Sequence, residues 1–169
     1  MSEAPWAVRA ARPDEPDAAA LLRGYFTEIV ARYHGRPVRP GEVTAAMAES
    51  PSADLIHPTG CLLVAYHGGR PAGCVGLRWR PDWAELTRMY VVAEHRGRGG
   101  GAALLAAAQR RAEESGLDRL RLDTRHDLVE ARALYARHGY REIAAYNDDV
   151  YAEHWFEKRL GVDEARAAR

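Results

Sequence analysis

The sequence predicts one mixed α/β domain, in which a central mixed, mostly antiparallel sheet of about six to seven strands is flanked by about four helices. Three observations carry that expectation. Strand-like runs at 61–66, 71–80 and 84–92 follow one another through short connections, which suits an antiparallel meander. The third run ends in a glycine-rich stretch that opens a helical period. The strand after that helix then lies parallel to the strand before it. A length of 169 residues fits a single domain over 1–169, with residues 1–5 and 161–169 expected to be loose.

Taken in order, Trp6 to Arg12 reads as a first strand, and the turn Pro13-Asp14-Glu15-Pro16-Asp17 leads into a helix with Asp17 as its candidate cap. Leu21, Leu22, Tyr25, Ile29 and Val30 recur at helical spacing to about Tyr33, and His34-Gly35-Arg36-Pro37 ends the run. Glu42 to Glu49 suggests a second, short helix, and the polar segment from Ser50 to Gly60 reads as an irregular connection. His67-Gly68-Gly69-Arg70 is a hairpin turn between two apolar strands. Alternation in the second of them puts Val75, Leu77 and Trp79 on one face and Cys74, Gly76 and Arg78 on the other. Gly116 stops the helix that follows the glycines, and Arg119 to Thr124 is a strand with Leu120 and Leu122 on one face. Leu128 to His138 reads as a helix, and 140–145 and 154–160 as two closing strands around a polar, aromatic loop.

Composition excludes several classes. Lysine plus arginine and aspartate plus glutamate balance at 24 each, which gives no basic field for nucleic acid. Cys61 and Cys74 sit in strand-like text and read as small buried thiols, not as a disulfide framework. The seven histidines lack metal-ligand spacing, so no metal is expected. The N-terminal residues carry no long apolar run and include Glu3, so a cytoplasmic protein without a membrane partner is expected.

The stretch Glu85 to Glu114 organises the chain. Gly97, Gly99, Gly100 and Gly101 fall within five residues, with Arg96 and Arg98 among them, between a strand and a helix. Glycine lets a ligand approach the main chain, and the first helical turn adds unpaired N–H groups with a positive dipole end. Arginines beside such a nest favour phosphate or pyrophosphate. The competing reading is a tight surface turn, for which one or two glycines suffice. No Lys-Ser or Lys-Thr pair follows, so a nucleoside triphosphate loop is absent. About half the chain precedes the glycines, which argues against a dinucleotide fold.

The run Arg96-Gly97-Arg98-Gly99-Gly100-Gly101 resembles the pyrophosphate signature of the GCN5-related N-acetyltransferase (GNAT) superfamily, and ALYARHGY at 133–140 resembles that family's Leu-Tyr helix. The paired blocks are specific over 85–140, and the similarity is loose before Cys61. The resemblance implies acetyl-coenzyme A as acyl-donor co-substrate and no metal. It implies contacts to the coenzyme from Met89, Val91, Val92, Arg96, Gly97, Arg98, Gly99, Gly100, Gly101, Ala102 and Tyr135. It also implies a backbone N–H near Val91 as oxyanion donor and Tyr135 as general acid. Packing beneath the sheet is the competing role for that tyrosine. One departure is Leu128, where many relatives carry asparagine; Asp127 or His126 would have to replace that contact.

Glu85 is the candidate base, since alternation puts it on one face with Thr87, Met89 and Val91; an ion pair with Arg88 or Arg78 is the alternative. His126 is a second base candidate, with Asp123 or Asp127 to orient it. Tyr146, Asp148 and Asp149 are candidate contacts for a cationic acceptor, be it a small-molecule amine or a peptide or protein amine. Neither cysteine has a base beside it in the sequence, so direct transfer is expected over a covalent acyl-enzyme. Two functional classes stay open: an amine acetyltransferase, and a catalytically silent acyl-coenzyme-binding regulatory or interaction module. A homodimer also stays open, because relatives often dimerise.

Overall fold

The computed structural model of the protein describes residues 5–161. The expectation of loose ends therefore falls, but for Pro5 and Gly161, outside the described residues. Seven strands form one sheet in the order β1-β2-β3-β4-β5-β7-β6. They are β1 (Trp6–Ala11), β2 (Gly60–His67), β3 (Arg70–Trp79), β4 (Ala84–Val91), β5 (Arg119–Thr124), β6 (Arg141–Ile143) and β7 (His154–Arg159). Four helices cover it: α1 (Pro16–His34), α2 (Glu42–Glu49), α3 (Gly100–Glu114) and α4 (Val129–Arg137). Among the described residues, β4 and β5 are parallel and every other neighbouring pair is antiparallel. That is the mixed, mostly antiparallel sheet expected from the sequence.

The hairpin turn behaves as its two glycines demand. Gly68 and Gly69 have φ of 59° and 77°, the left-handed pair that matches strand twist in a two-residue hairpin. The faces of β3 also follow alternation. Val75, Leu77 and Trp79 join Leu104, Leu120 and Leu122 in a core under α3, while Cys74 joins Leu21, Leu22, Leu55 and Val64 in a second core under α1.

Three local readings are corrected. Asp17 does not cap α1; the helix starts at Pro16, and the Asp17 carboxylate accepts the Tyr66 hydroxyl at 2.7 Å. Proline at the first helical position needs no N–H partner, so the helix starts there without a side-chain cap. The strand expected over 140–145 shrinks to Arg141–Ile143. Its pairing ends at Ile143↔Trp155, and the chain beyond turns back across the sheet to deliver Tyr146 and Asn147.

The third correction bears on function. The β3–β4 register shifts between Cys74 and Gly76, and Arg88 sits opposite with φ of 55°. This is a bulge, with one extra residue on β4, and it inverts the alternation beyond it. Ala84 and Leu86 face α3, but so do Met89 and Val91, while Tyr90 and Val92 pack on the α1 side. Glu85 and Thr87 therefore do not share a face with Met89 and Val91.

Candidate active site

Parallel pairing of β4 with β5 is confined to Ala84↔Leu120 and Glu85↔Arg121. Beyond those positions the strands run on to Val91 and Thr124 without pairing, and a gap opens between them. Val92 N–H donates to Ala72 O across β3 at 2.8 Å. By alternation the amide and carbonyl of Val91 point the other way, towards the gap. There the Val91 carbonyl accepts Arg96 Nε at 2.8 Å.

The bulge that shapes this edge is pinned by Arg88 itself. Its guanidinium is buried, donates to Ser50 O, Ser50 Oγ, Ser52 Oγ and Thr87 Oγ1 at 3.0–3.1 Å, and lies 4.9 Å from the Phe26 ring centroid. Burial holds its pKa below the usual arginine value. Four hydrogen bonds and a cation–π contact offset that desolvation. Arg88 thus ties β4 to the segment before β2, and Arg78, not Arg88, is the arginine beside Glu85.

At one end of the gap stands the glycine loop. The first helical bond of α3 runs from Ala103 N–H to Gly99 O at 3.0 Å, and Gly99 supplies no side-chain cap. The amides of Gly100, Gly101 and Ala102 therefore point ahead of the helix without a capping partner. The four glycines divide into two pairs. Gly97 and Gly99 have φ of 75° and 87°, and a Cβ there would meet nothing within 4 Å. Gly100 and Gly101 are packing glycines: a Cβ on Gly100 would lie 2.5 Å from the Trp6 ring and one on Gly101 2.8 Å from Leu134. Trp6 also donates Nε1–H to Arg98 O at 2.8 Å and stacks on His67 at 4.4 Å. His67 in turn shares a proton with His95, Nδ1 to Nδ1, at 2.9 Å. The first strand thus braces the loop from beneath. The two arginines part company here. Arg98 is exposed, whereas Arg96 is turned away to Glu28 on α1, at 2.7 Å.

Tyr135 enters from α4. It is 5% exposed and packs on Tyr140 and Phe156 with ring centroids 5.6 and 6.2 Å away. Burial raises its phenol far above the ordinary value, and the nearby ionisable groups Tyr25, Tyr140 and Asp123 push the same way. The proton accordingly stays on this oxygen. The neighbours also locate the side chain: Tyr25 belongs to α1 and Asp123 to the diverging end of β5. The adjacent loop accounts for Leu128. Arg125 donates to Asp127 at 2.9 Å and to Ile29 O at 3.0 Å, while Arg32 donates to Asp127 O at 2.9 Å. Asp127 is therefore engaged in tying α4 to α1.

On the opposite face a cleft of about 670 Å³ opens between the segment around Ser50, the start of β4, the end of β5 and the 146–153 loop. Five carboxylates line it (Glu49, Asp54, Glu85, Asp123 and Asp149) against two guanidiniums, Arg78 and Arg80. Glu85 lies 3.6 Å from Arg78 and 3.4 Å from Arg80, and Asp54 accepts Arg78 Nε at 2.7 Å. Asp123, which alternation along β5 puts opposite Leu122 and Thr124, accepts Asn147 Nδ2 at 2.8 Å. Asn147 is fixed from behind by Trp155 Nε1, at 2.9 Å. Of the loop residues singled out from sequence, Asp149 lines the cleft and Asp148 is merely exposed. Tyr146 places its ring against Trp83 and Arg121 with a buried hydroxyl that has no partner among the described residues.

His126 lies elsewhere. Its Nδ1 meets His154 Nε2 at 2.9 Å, its ring stacks on His154, and His154 bonds Glu142. His154 contacts Phe156, which places this relay on the α3–α4 face, away from Glu85. Asp123 and Asp127 serve Asn147 and Arg125, so His154 is the residue that orients His126. Burial pushes the Cys61 thiol up to about 11 and the Cys74 thiol up to about 12; neither is a nucleophile at neutral pH. Among the described residues no group of three or more His, Cys, Asp or Glu is placed to hold a metal ion. No described helix is long and apolar enough to cross a membrane.

A phosphate-sized amide nest and an acidic cleft meeting at a split between parallel strands define an acyl-transfer scaffold. The model of the acetyltransferase (GNAT) family matches residues 20–140, and the chain belongs to that family. It is similar to two N-acetyltransferases of Bacillus subtilis (strain 168) described as uncharacterised. YjcF is 28% identical over 82 residues, 48% of this chain and 56% of that protein. YhfO is 40% identical over 61 residues, 36% of this chain and 41% of that protein. The matched stretch thus spans about half the length of these relatives. The fold is also that of the PaiA N-acetyltransferase of Thermoplasma acidophilum, solved in complex with coenzyme A. The two share 18% identity and a TM-score of 0.71 over 91% of this chain and 99% of that one.

Proposed function

We propose that the chain is an acetyl-coenzyme A-dependent N-acetyltransferase that moves an acetyl group directly to a primary amine. The observation that carries this reading is the divergence of β4 from β5 between an uncapped helix N-terminus on one side and an acid-lined cleft on the other. The residues present suit the coenzyme. The open backbone at Gly97 and Gly99 and the free amides of Gly100, Gly101 and Ala102 would hold its diphosphate, with Arg98 available beside them. Arg96 is expected to serve the site by holding Val91 and α1, not as a phosphate ligand.

When bound, acetyl-coenzyme A supplies an activated acetyl thioester. The Val91 N–H, facing the gap, is the backbone donor for the charge that develops on the carbonyl oxygen. Tyr135 keeps its proton and presents it as a donor to the leaving sulfur. The carboxylates of the cleft attract an ammonium and discharge its proton on the other side. Direct transfer is favoured because both thiols are held neutral by burial. The deciding experiment incubates the chain with acetyl-coenzyme A and a broad panel of primary amines, following thiol release and acetylated product by mass spectrometry. Binding of the coenzyme with no amine acetylated would reject catalysis and leave a silent binding module.

A further inference from the structure

Resting on that reading, we infer that Asp123 is the base that removes the proton from the acceptor ammonium, and that Asn147, backed by Trp155, is its positioning residue. Asp123 sits two residues past the last β4–β5 pair, so it belongs to the diverging part of β5, and it lines the cleft. One carboxylate oxygen, Oδ2, is engaged by Asn147 Nδ2 at 2.8 Å. Oδ1 is left for the amine. Asn147 cannot swivel, because its own Oδ1 accepts Trp155 Nε1 at 2.9 Å and the Asp149 amide at 3.3 Å. The other cleft carboxylates are less suited. Asp54 is bound by Arg78, and Glu85 lies between Arg78 and Arg80. His126 faces His154 on the far side of the sheet.

The surroundings of Asp123 agree with the geometry. Burial raises its pKa, and Asp149 from the loop and Glu85 from β4 raise it further, while the Asn147 hydrogen bond and Arg78 from β3 oppose. The other ionisable groups turned towards it are phenols: Tyr25 on α1, Tyr135 on α4 and Tyr146 on the loop. A carboxylate raised towards neutrality is a better proton acceptor than an ordinary one. In the step itself one proton moves from the ammonium nitrogen to Oδ1, the electron pair of that N–H bond stays on nitrogen, and the carboxylate becomes a neutral carboxyl. Water in the open cleft then takes the proton.

The test uses the full chain and the primary amine of the panel that it acetylates fastest. Asp123→Asn is expected to lower kcat/KM by about 10²–10⁴-fold with coenzyme A affinity unchanged, and Asp123→Glu to restore part of the rate. Asn147→Ala keeps the carboxylate but removes a bond that favours its ionised form, so the acid limb of the kcat/KM profile moves to higher pH. A merely structural role would lower the rate without moving that limb. A carbon-13 titration of the Asp123 carboxyl, read without turnover, should show the same upward move in Asn147→Ala. An Asp123→Asn rate within about threefold of wild type, or a carboxyl titration indifferent to Asn147→Ala, overturns the inference while leaving the acetyltransferase reading intact. A wild-type chain inert on every amine defeats the parent reading instead, and this inference with it.

Discussion

The two sides of the β4–β5 gap are built in different ways. The anion nest comes from consecutive residues, Gly97 to Ala102, whose backbone conformation is written into the local sequence. The acidic cleft is assembled from residues between Glu49 and Asp149, brought together by a bulge, a short edge strand and a returning loop. A local device can be read from one stretch of text and fails at one residue. A long-range device depends on registers that no single stretch specifies.

Four measurements sharpen that contrast. The largest effect is expected where both sides meet. Tyr135→Phe removes the donor but keeps the ring packed on Tyr140 and Phe156, so turnover should fall by about 10²–10⁴-fold with coenzyme affinity nearly unchanged. Wild-type rates would return the residue to a packing role. Next come the two kinds of glycine. Gly101→Leu drives a side chain into Leu134 and should cost about 1–3 kcal/mol of stability, read as a lower Tm. Gly99→Ala has room for its methyl but not the left-handed backbone, at about 1–2 kcal/mol, and should chiefly weaken coenzyme A binding in calorimetry. If Gly101→Leu left Tm untouched, the division of the glycines into pairs would fall.

Trp6→Phe probes how far the nest is truly local. Loss of the Nε1–H bond to Arg98 O should weaken coenzyme A binding by about 0.5–1.5 kcal/mol, and an unchanged Kd would mean that β1 does not brace the loop. The smallest effect concerns the cleft side, where Cys74 donates to the Arg88 carbonyl at the bulge, at 3.3 Å. Its thiol is pushed up to about 12, so the folded chain keeps a proton that the unfolded chain releases at lower pH. Its contribution is whole below the ordinary thiol range and is lost as pH rises towards 12. Urea midpoints should therefore fall with rising alkaline pH more steeply in wild type than in Cys74→Ala; parallel slopes would contradict it.

Much of the fold was legible because short connections and clear periodicity leave few topologies. The helix Glu42–Glu49 and the strand Arg119–Thr124 have the boundaries that periodicity assigns, and β5 is parallel to β4 as a strand after a crossover helix must be. The face of Glu85 was misjudged because strict alternation was carried through Arg88. A visible signal existed there, an arginine at an apolar parity in LTRMYV, but a bulge is a property of the strand pair and not of one strand. Asp123 was seen only as a partner for His126, since nothing local links it to Asn147 and Trp155, 24 and 32 positions away. Trp6 under the glycine loop was equally invisible, 92 positions from the carbonyl it holds.

By itself the sequence determined the element order, the glycine nest before α3 and the tyrosine on α4, because backbone freedom, helix ends and apolar period act over a few residues. Tertiary structure alone decided which carboxylate faces the gap, which arginine leaves it and which face each β4 side chain takes. Those outcomes hang on strand register and on hydrogen bonds between distant residues, and a one-residue slip reverses them.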